Sequence, residues 1–438
     1  MTGWLAPLLI VGAATGLMVL GIPIAAAMGL VGFFGLAAVA STKVALGAID
    51  LALVSAGSNF TLISVPMFIF MAEILVFSDV SRRLFDAAAK LLGGLPGTLL
   101  LGSRLATTLF SAVTGSSVAS SATIGSVAIP EMISRGYDRR LSVGSVAAGG
   151  ALAIVMPPSI VLIIYGFVAE VSVAKLFIAG VIPALLIAAG YLAWNIIIAI
   201  RRPDLAPRLA TVPAAERLRA LKGIWPVILL ATLVLGTIYV GVATVTEAAA
   251  IGVLGSLALA AMARKLTLAN LASALLGTAR ITGFVFMILI GALIFGFLLS
   301  YLKVPAHMSE LLLGLDVNRW VILTWVIAVF LVLGTFMDVL AILLVAVPVI
   351  VEPMRALGFD PIWLGIVLTI VMEMGLTTPP FGMNLFVVQG VAAYTGYPIS
   401  YSDAVAGSAP YLIADAAALL LVVLFPALAL WLPSLIQN

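Results

Sequence analysis

Met374-Gly375-Leu376-Thr377-Thr378-Pro379-Pro380-Phe381-Gly382-Met383-Asn384 separates two apolar half-segments, residues 362–372 and 385–393. A proline cannot donate a backbone hydrogen bond, and glycine loosens the chain on either side of the pair. Non-helical backbone at membrane depth survives only where protein buries it or where it lines a cavity. The stretch therefore reads as a deliberate break in a helix. Its threonines and Asn384 supply hydroxyl and amide groups to that break.

The break has a twin at Met156-Pro157-Pro158-Ser159. Asp138, which ends Gly136-Tyr137-Asp138, lies 19 residues before Pro157, and Asp360, which ends Gly358-Phe359-Asp360, lies 19 before Pro379. Further back, Pro130-Glu131-Met132 answers Glu352-Pro353-Met354. Gly115-Ser116 answers Gly334-Thr335 with an offset of three residues. This series of matches marks an internal duplication.

Of the 438 residues, 64% are hydrophobic and 9% charged, against about 25% charged in a soluble domain. Apolar runs of roughly the 20 residues needed to cross a bilayer recur along the whole length. The chain is thus all-α, a polytopic membrane protein with no room for a separate soluble domain. Its net charge of +3 speaks of topology, and nucleic acid is not expected as a partner. The absence of Cys excludes disulfides and thiolate chemistry. No Lys or Arg precedes Lys43, so the basic region of a cleavable signal peptide is not expected.

Spans are expected from Trp4 to Leu20, over residues 22–40, and at Phe60–Phe77. Residues 42–55 read as interfacial, and residues 81–92 as an amphipathic arm. Residues 105–133 are interrupted by the serine-rich 114–121 stretch, with Arg104 before them and Arg135, Arg139 and Arg140 after. Basic residues mark the cytoplasmic side. This segment therefore reads as a re-entrant hairpin with both ends inside. Residues 141–168 cross outward through Pro157-Pro158, and 176–200 return. Residues 201–222, with six Lys or Arg against two acids, read as a cytoplasmic loop. In the second half, 225–242 and 246–262 are spans, 266–280 an interfacial segment, 281–299 a span and 305–315 an arm. Residues 321–351, interrupted at 334–338, form a second hairpin that enters from outside. Residues 361–393 cross through the second break, and 404–432 form the last span.

This topology puts every Lys and Arg inside except Lys43, Lys175, Lys303, Arg319 and Arg355. It places both termini in the periplasm and gives the halves opposite orientations. The first repeat, 1–223, comprises scaffold (1–97), transport elements (98–200) and the loop. The second, 224–438, comprises scaffold (224–319) and transport elements (320–438). Inverted repeats with paired broken helices are a transporter architecture, with sites near the midplane at the breaks.

Ser64-Val65-Pro66-Met67-Phe68, Gly115-Ser116-Ser117, Pro157-Pro158-Ser159, Thr246-Glu247-Ala248-Ala249-Ala250, Phe336-Met337-Asp338 and Gly375-Leu376-Thr377-Thr378-Pro379-Pro380 together resemble the large membrane subunit of tripartite ATP-independent periplasmic (TRAP) transporters, over essentially the whole chain. The resemblance implies a sodium-coupled importer of a small carboxylate such as a C4-dicarboxylate, working by an elevator movement in a bacterial inner membrane. It also implies a small four-helix membrane subunit and a periplasmic substrate-binding protein as partners. A stand-alone sodium/dicarboxylate carrier of similar architecture is the alternative.

Sodium is a hard cation that suits oxygen ligands, as calcium and magnesium do. Two or more ions are expected. Ser116, Ser117 and Ser120 would face Pro157 and Ser159 at one site, and Gly334, Thr335 and Asp338 would face Thr377, Thr378 and Pro379 at the other. The same hydroxyls could instead only cap carbonyls freed by the breaks. Half-helix N-termini favour a carboxylate, so the solute is expected between the tips, near Ser117, Ser159, Thr378 and Asn384. Glu73, Glu247, Asp338 and Glu373 also fall in apolar segments. Asp338 is the ion candidate among these acids. Glu73 and Glu247 are expected to pair with an Arg or with the small subunit. No Gly-x-x-x-x-Gly-Lys-Ser/Thr loop is present, so nucleotide chemistry by that route is excluded. His307, expected in an outside loop, is the sole histidine, so serine–histidine and zinc-protease chemistry lack their parts. The chain does not read as an enzyme.

Overall fold

The computed structural model describes residues 5–435, and among these every regular element is helical. The order is α1 (Leu5–Val19), α2 (Ile24–Val39), α3 (Thr42–Ser58), α4 (Phe60–Phe77), α5 (Val80–Leu91), α6 (Thr98–Thr114), α7 (Ser117–Ser134), α8 (Arg139–Ala151), α9 (Ile160–Val168) and α10 (Val173–Arg201). The chain continues with α11 (Ala214–Tyr239), α12 (Val245–Met262), α13 (Leu268–Tyr301), α14 (Val304–Gly314), α15 (Arg319–Phe336), α16 (Val339–Ala356), α17 (Pro361–Leu376), α18 (Met383–Tyr394), α19 (Tyr401–Leu424) and α20 (Ala427–Ser434). Eight of these helices are long and apolar enough to cross a membrane. The expected start of the first span, Trp4, and both chain termini lie outside the described residues.

Each break is a helix that stops and restarts. α8 runs into a 3-10 turn at Leu152–Ile154, and α9 restarts after Pro157-Pro158 with Ser159 as its cap. α17 stops at Leu376 and α18 restarts after Gly382. Both Pro-Pro bonds are cis. The hairpins are equally plain. α6 and α7 are joined through Gly115-Ser116, α15 and α16 through Met337-Asp338, and each pair packs limb on limb. Each start has a polar cap: the Ser116 hydroxyl accepts from the Ala119 N–H at 3.3 Å, and the Asp338 carboxylate from the Leu340 N–H at 2.9 Å. Such caps satisfy N–H groups that a helix start leaves without partners.

The elements correspond in order: α4 to α13, α5 to α14, α6–α7 to α15–α16, α8–α9 to α17–α18, and α10 to α19. α2 and α4 pack with α13, α12 packs on α4, and α11 lies against α12. These helices approach closely where side chains are small. A Cβ on Gly32 of α2 would sit 2.7 Å from the Phe295 backbone of α13. The arms lie against the hairpins, α5 on α6 and α14 on α16. The hairpins and broken helices pack crosswise: α7 touches both α8 and α18, α15 touches α17, and α16 touches α9. A cavity of about 940 Å³ lies between Asn59, Phe60 and Thr246 on one side and Glu170, Ser172 and Pro348 on the other.

Several boundaries differ from the sequence expectation. Residues 266–280 are not a separate interfacial element: they run without interruption into the following span as α13, 34 residues or about 51 Å long. In the first half, Asn59 ends α3 and caps α4, its side chain accepting from the Thr61 and Leu62 N–H groups. α13 has no such interruption. The expected loop 201–222 becomes helix from Ala214 onward, because Ala-Ala-Glu-Arg-Leu-Arg-Ala-Leu-Lys is rich in helix formers. The last span divides at Phe425-Pro426 into α19 and α20, since proline cannot continue a helix. His307 lies within α14, not in a loop. Glu247 is exposed in the first turn of α12 and closes a capping box with Thr244, whose N–H and hydroxyl both donate to it at 2.8 Å. It pairs with that cap, not with an arginine. Arg104, read as a marker of the cytoplasmic edge, is 1% exposed in the interior.

Candidate functional site

At both breaks a hairpin tip rests directly on broken backbone. Gly115, the αL residue that ends α6 (φ +59°), is so close to the first break that a Cβ there would overlap the Pro158 carbonyl oxygen. Only glycine adopts this conformation and clearance without strain. In the second repeat Gly334 meets Gly375, where a Cβ on Gly375 would lie 2.6 Å from the Gly334 backbone. The matched pair Gly115-Ser116 and Gly334-Thr335 thus marks two equivalent contacts between tip and break.

The first hairpin also reaches the opposite repeat. Ser117, the first residue of α7, donates its hydroxyl proton to Asn384 Oδ1 at 2.7 Å, and the Asn384 amide donates to the Ala147 carbonyl at 3.2 Å. Ser117 therefore pairs with the second break, where the sequence reading had placed it against Pro157 and Ser159. Both side chains are buried. Asn384 sits in the first turn of α18, so the N-termini of two half-helices, α7 and α18, meet here. Such ends carry positive partial charge and favour an anion.

The other candidates divide between the two breaks. Ser159 is buried and spans its own break, donating to the Ile154 carbonyl at 2.6 Å and accepting from the Leu162 N–H at 3.3 Å. Ser120 is buried within its hairpin, 2.8 Å from the Thr114 hydroxyl and 3.4 Å from that of Ser111. Pro157 is buried, whereas Pro379, Pro380 and Phe381 are exposed. The second break is therefore the open one of the two. The Tyr401 hydroxyl holds it from one side, 2.8 Å from the Pro380 carbonyl and 2.7 Å from that of Phe381.

Around Gly382, which is also αL (φ +54°), backbone oxygens converge. A Cβ there would meet the Thr378 carbonyl at 3.0 Å and the Leu376 carbonyl at 3.2 Å, and the Gly382 N–H donates to the Thr335 carbonyl at 3.4 Å. The neighbouring hydroxyls point their protons inward along the chain. Thr378 donates to the Met374 carbonyl at 2.7 Å, Thr377 to the same carbonyl at 3.3 Å, and Thr335 to the Val332 carbonyl at 2.8 Å. A hydroxyl that has donated its proton keeps its lone pairs for another partner. This donor set of carbonyls and hydroxyls suits a hard cation. Asp338 is half-buried and caps α16.

A second polar group lies deeper; of its members the sequence pointed only to Glu373, as an acid in an apolar segment, and to Arg104, as an edge marker. The Arg104 guanidinium stacks 4.3 Å from the Tyr191 ring centre and 5.1 Å from that of Tyr411, and its Nη2 donates to the Ser145 carbonyl at 2.7 Å. The Tyr191 hydroxyl contacts Asp415 Oδ1, and Glu373 Oε1 lies 3.4 Å from it. Tyr411 donates to Asn195 Oδ1 at 2.5 Å. The signal available in the sequence was the presence of Arg104, Glu373 and Asp415 in otherwise apolar helices.

Comparison with known proteins bears on the whole chain. Residues 11–428 match the family described as "Tripartite ATP-independent periplasmic transporter, DctM component". The C4-dicarboxylate TRAP transporter large permease protein DctM of Pseudomonas aeruginosa is 35% identical over 378 residues, covering 86% of this chain and 87% of that protein. The sialic acid TRAP transporter large permease protein SiaM of Vibrio cholerae is 32% identical over 381 residues, with 86% and 87% covered. Among solved structures, the YdaH transporter of Alcanivorax borkumensis superposes with a TM-score of 0.63 over 86% of this chain and 87% of its own, at 14% identity, a likeness of fold. With the family match spanning nearly all of the chain and the sequence motifs falling on paired hairpins and broken helices, the chain belongs to the DctM, or large permease, family of TRAP transporters.

Proposed function

We propose that this chain is the membrane-embedded carrier of a sodium-coupled importer of small organic acids, supplied by a periplasmic binding protein and braced by a small membrane subunit. The observation that carries this reading is the crossed packing of two hairpins on two broken helices. At its centre the α7 and α18 N-termini come together at Ser117 and Asn384. The carboxylate of the solute lies there, drawn by the two helix ends. One sodium ion sits by Gly382, held by the carbonyls of Leu376, Thr378 and Thr335 and the adjacent hydroxyls. A second sits at the twin contact of Gly115 with Pro158. The relatives' names specify a C4-dicarboxylate and sialic acid, both carboxylates, in keeping with a carboxylate-binding centre.

The movement is an elevator. Residues 98–200 and 320–438 travel as one unit against the scaffold of residues 1–97 and 224–319, and the 940 Å³ cavity between the two leaves space for displacement. α5 and α14, part of the scaffold, lie against the hairpins and act as arms that brace the moving unit. The membrane is the bacterial inner membrane, with both chain ends on the periplasmic side. The test is reconstitution into proteoliposomes under an inward sodium gradient. With the small subunit and loaded binding protein present, labelled solute should enter, and the chain alone should be inactive. Full uptake by the chain alone would make it a stand-alone carrier.

A further inference from the structure

Glu373 lies one helical turn before the second break, fully buried, and faces Asp415 across the Tyr191 hydroxyl. The charged and titratable groups around it come from three helices: Arg104 of α6, Tyr191 of α10, and Asp415 with Tyr411 of α19. Their formal charges do not balance when all are ionised, with two carboxylates facing one guanidinium. Arg104 does not close an ion pair with either acid. Its Nη2 donates to the Ser145 carbonyl and its plane lies against the two rings, its Nε and Nη1 have no hydrogen-bond partner, and among the described residues no carboxylate lies within salt-bridge distance of it. An unpaired charge in a dry interior is costly, and one at membrane depth marks function by default.

Hydrogen-bond counting gives the same answer independently. Tyr191 has one hydroxyl proton and touches two carboxyl groups. It donates the proton to Asp415, the nearer. The 3.4 Å contact between Tyr191 and Glu373 then becomes a hydrogen bond when Glu373 carries a proton and donates it. Glu373 Oε2 is buried with no protein partner, which leaves it unsatisfied as a carboxylate.

We propose that Glu373, Tyr191 and Asp415 form a further cation site, and that it holds one exchangeable proton, on Glu373, inside the hairpin and broken-helix unit. The proton comes from solvent and returns to it. When it is bound, the charges balance and Tyr191 accepts from Glu373 while donating to Asp415. When it leaves, a net negative charge is stranded beside the second break, four residues from Thr377, and the solute site is disturbed.

Infrared difference spectroscopy on the purified chain tests this without relying on the transport reading. The wild type should show the C=O stretch of a protonated carboxyl at neutral pH, shifted in heavy water and lost as pH is raised. Glu373→Gln should remove it, and Asp415→Asn should too, because one acid balances Arg104 without a proton. Glu73→Gln, which removes a carboxyl of α4, should keep it. Replacing potassium by sodium at fixed pH should leave the wild-type band in place. A wild type without the band, a band lost in Glu73→Gln and kept in Glu373→Gln, or a band abolished by sodium would each overturn the proposal, the last by making the cation sodium. Should the amide variants fail to fold, the wild-type spectrum and its response to sodium still decide. In the reconstituted three-component transporter, with pH equal on both sides, uptake should fall about tenfold per pH unit above the midpoint, as for one proton. This fall should vanish in Glu373→Gln. The same fall persisting in that variant would contradict the site's role in transport.

Discussion

Replacing Gly115 by alanine should separate the first hairpin from its break. Two costs act in the same direction. At φ +59° a Cβ is crowded by its own backbone, about 1–2 kcal/mol for a left-handed residue. The same Cβ would overlap the Pro158 carbonyl oxygen and come within 3.2 Å of Ser159 Cα. Both neighbours are backbone and cannot turn aside, and overpacking of this kind adds roughly 1–3 kcal/mol. Together these oppose the seating of the tip by about 2–5 kcal/mol. If a sodium ion binds where tip and break meet, it must supply that energy each time it binds. Its affinity should fall at least about 30-fold. The assay is uptake against sodium concentration in the full transporter, with thermal stability of the purified chain followed in parallel. Gly390→Ala is the control, since nothing lies within 4 Å of a Cβ there. A Gly115→Ala protein with the wild-type sodium dependence and melting temperature would refute the argument that the tip must sit on the break.

Thr378→Val keeps the shape of the second break and removes one hydroxyl. A lost ligand typically costs ~1–3 kcal/mol, so half-saturation for sodium should rise about 5- to 150-fold while maximal uptake falls less. Ser159→Ala should act alike and also lower the melting temperature, because this hydroxyl joins Ile154 to Leu162 across the first break. Unchanged sodium dependence in both would mean that the hydroxyls only cap broken helices. If α6 and α7 form a re-entrant hairpin, single cysteines at the exposed positions 95 and 135 in this Cys-free chain should react with impermeant reagents from the same side. Reaction from opposite sides would turn the hairpin into a crossing.

The breaks and tips were legible in sequence because their chemistry is local. A Pro pair, an αL glycine and a capping Ser or Asp act on the backbone beside them, so their spacing survives as a readable repeat. Contacts between repeats were not legible. Nothing in Ser116-Ser117-Val118 specifies a partner 267 residues away, and Ser117 was assigned to the nearer break. Arg104 misled for a related reason. An arginine at the end of an apolar run is ordinarily an interfacial marker, and only packing reveals that Tyr191, Tyr411 and Ser145 enclose it. Asp415 drew no notice because no motif surrounds it. Helix lengths near 214–222 and 266–280 are not legible either, because charged and interfacial residues there are also good helix formers.

The account's centre is that solute movement is driven by sodium through the paired hairpins and breaks. The direct measurement is uptake of labelled solute by proteoliposomes holding the complete transporter, with the inward gradient made of sodium, of protons, or of potassium alone. Accumulation above the external concentration with the sodium gradient, lost when that gradient is dissipated and absent with the other two, is the predicted result. Equal accumulation under a proton gradient with no sodium on either side would contradict it.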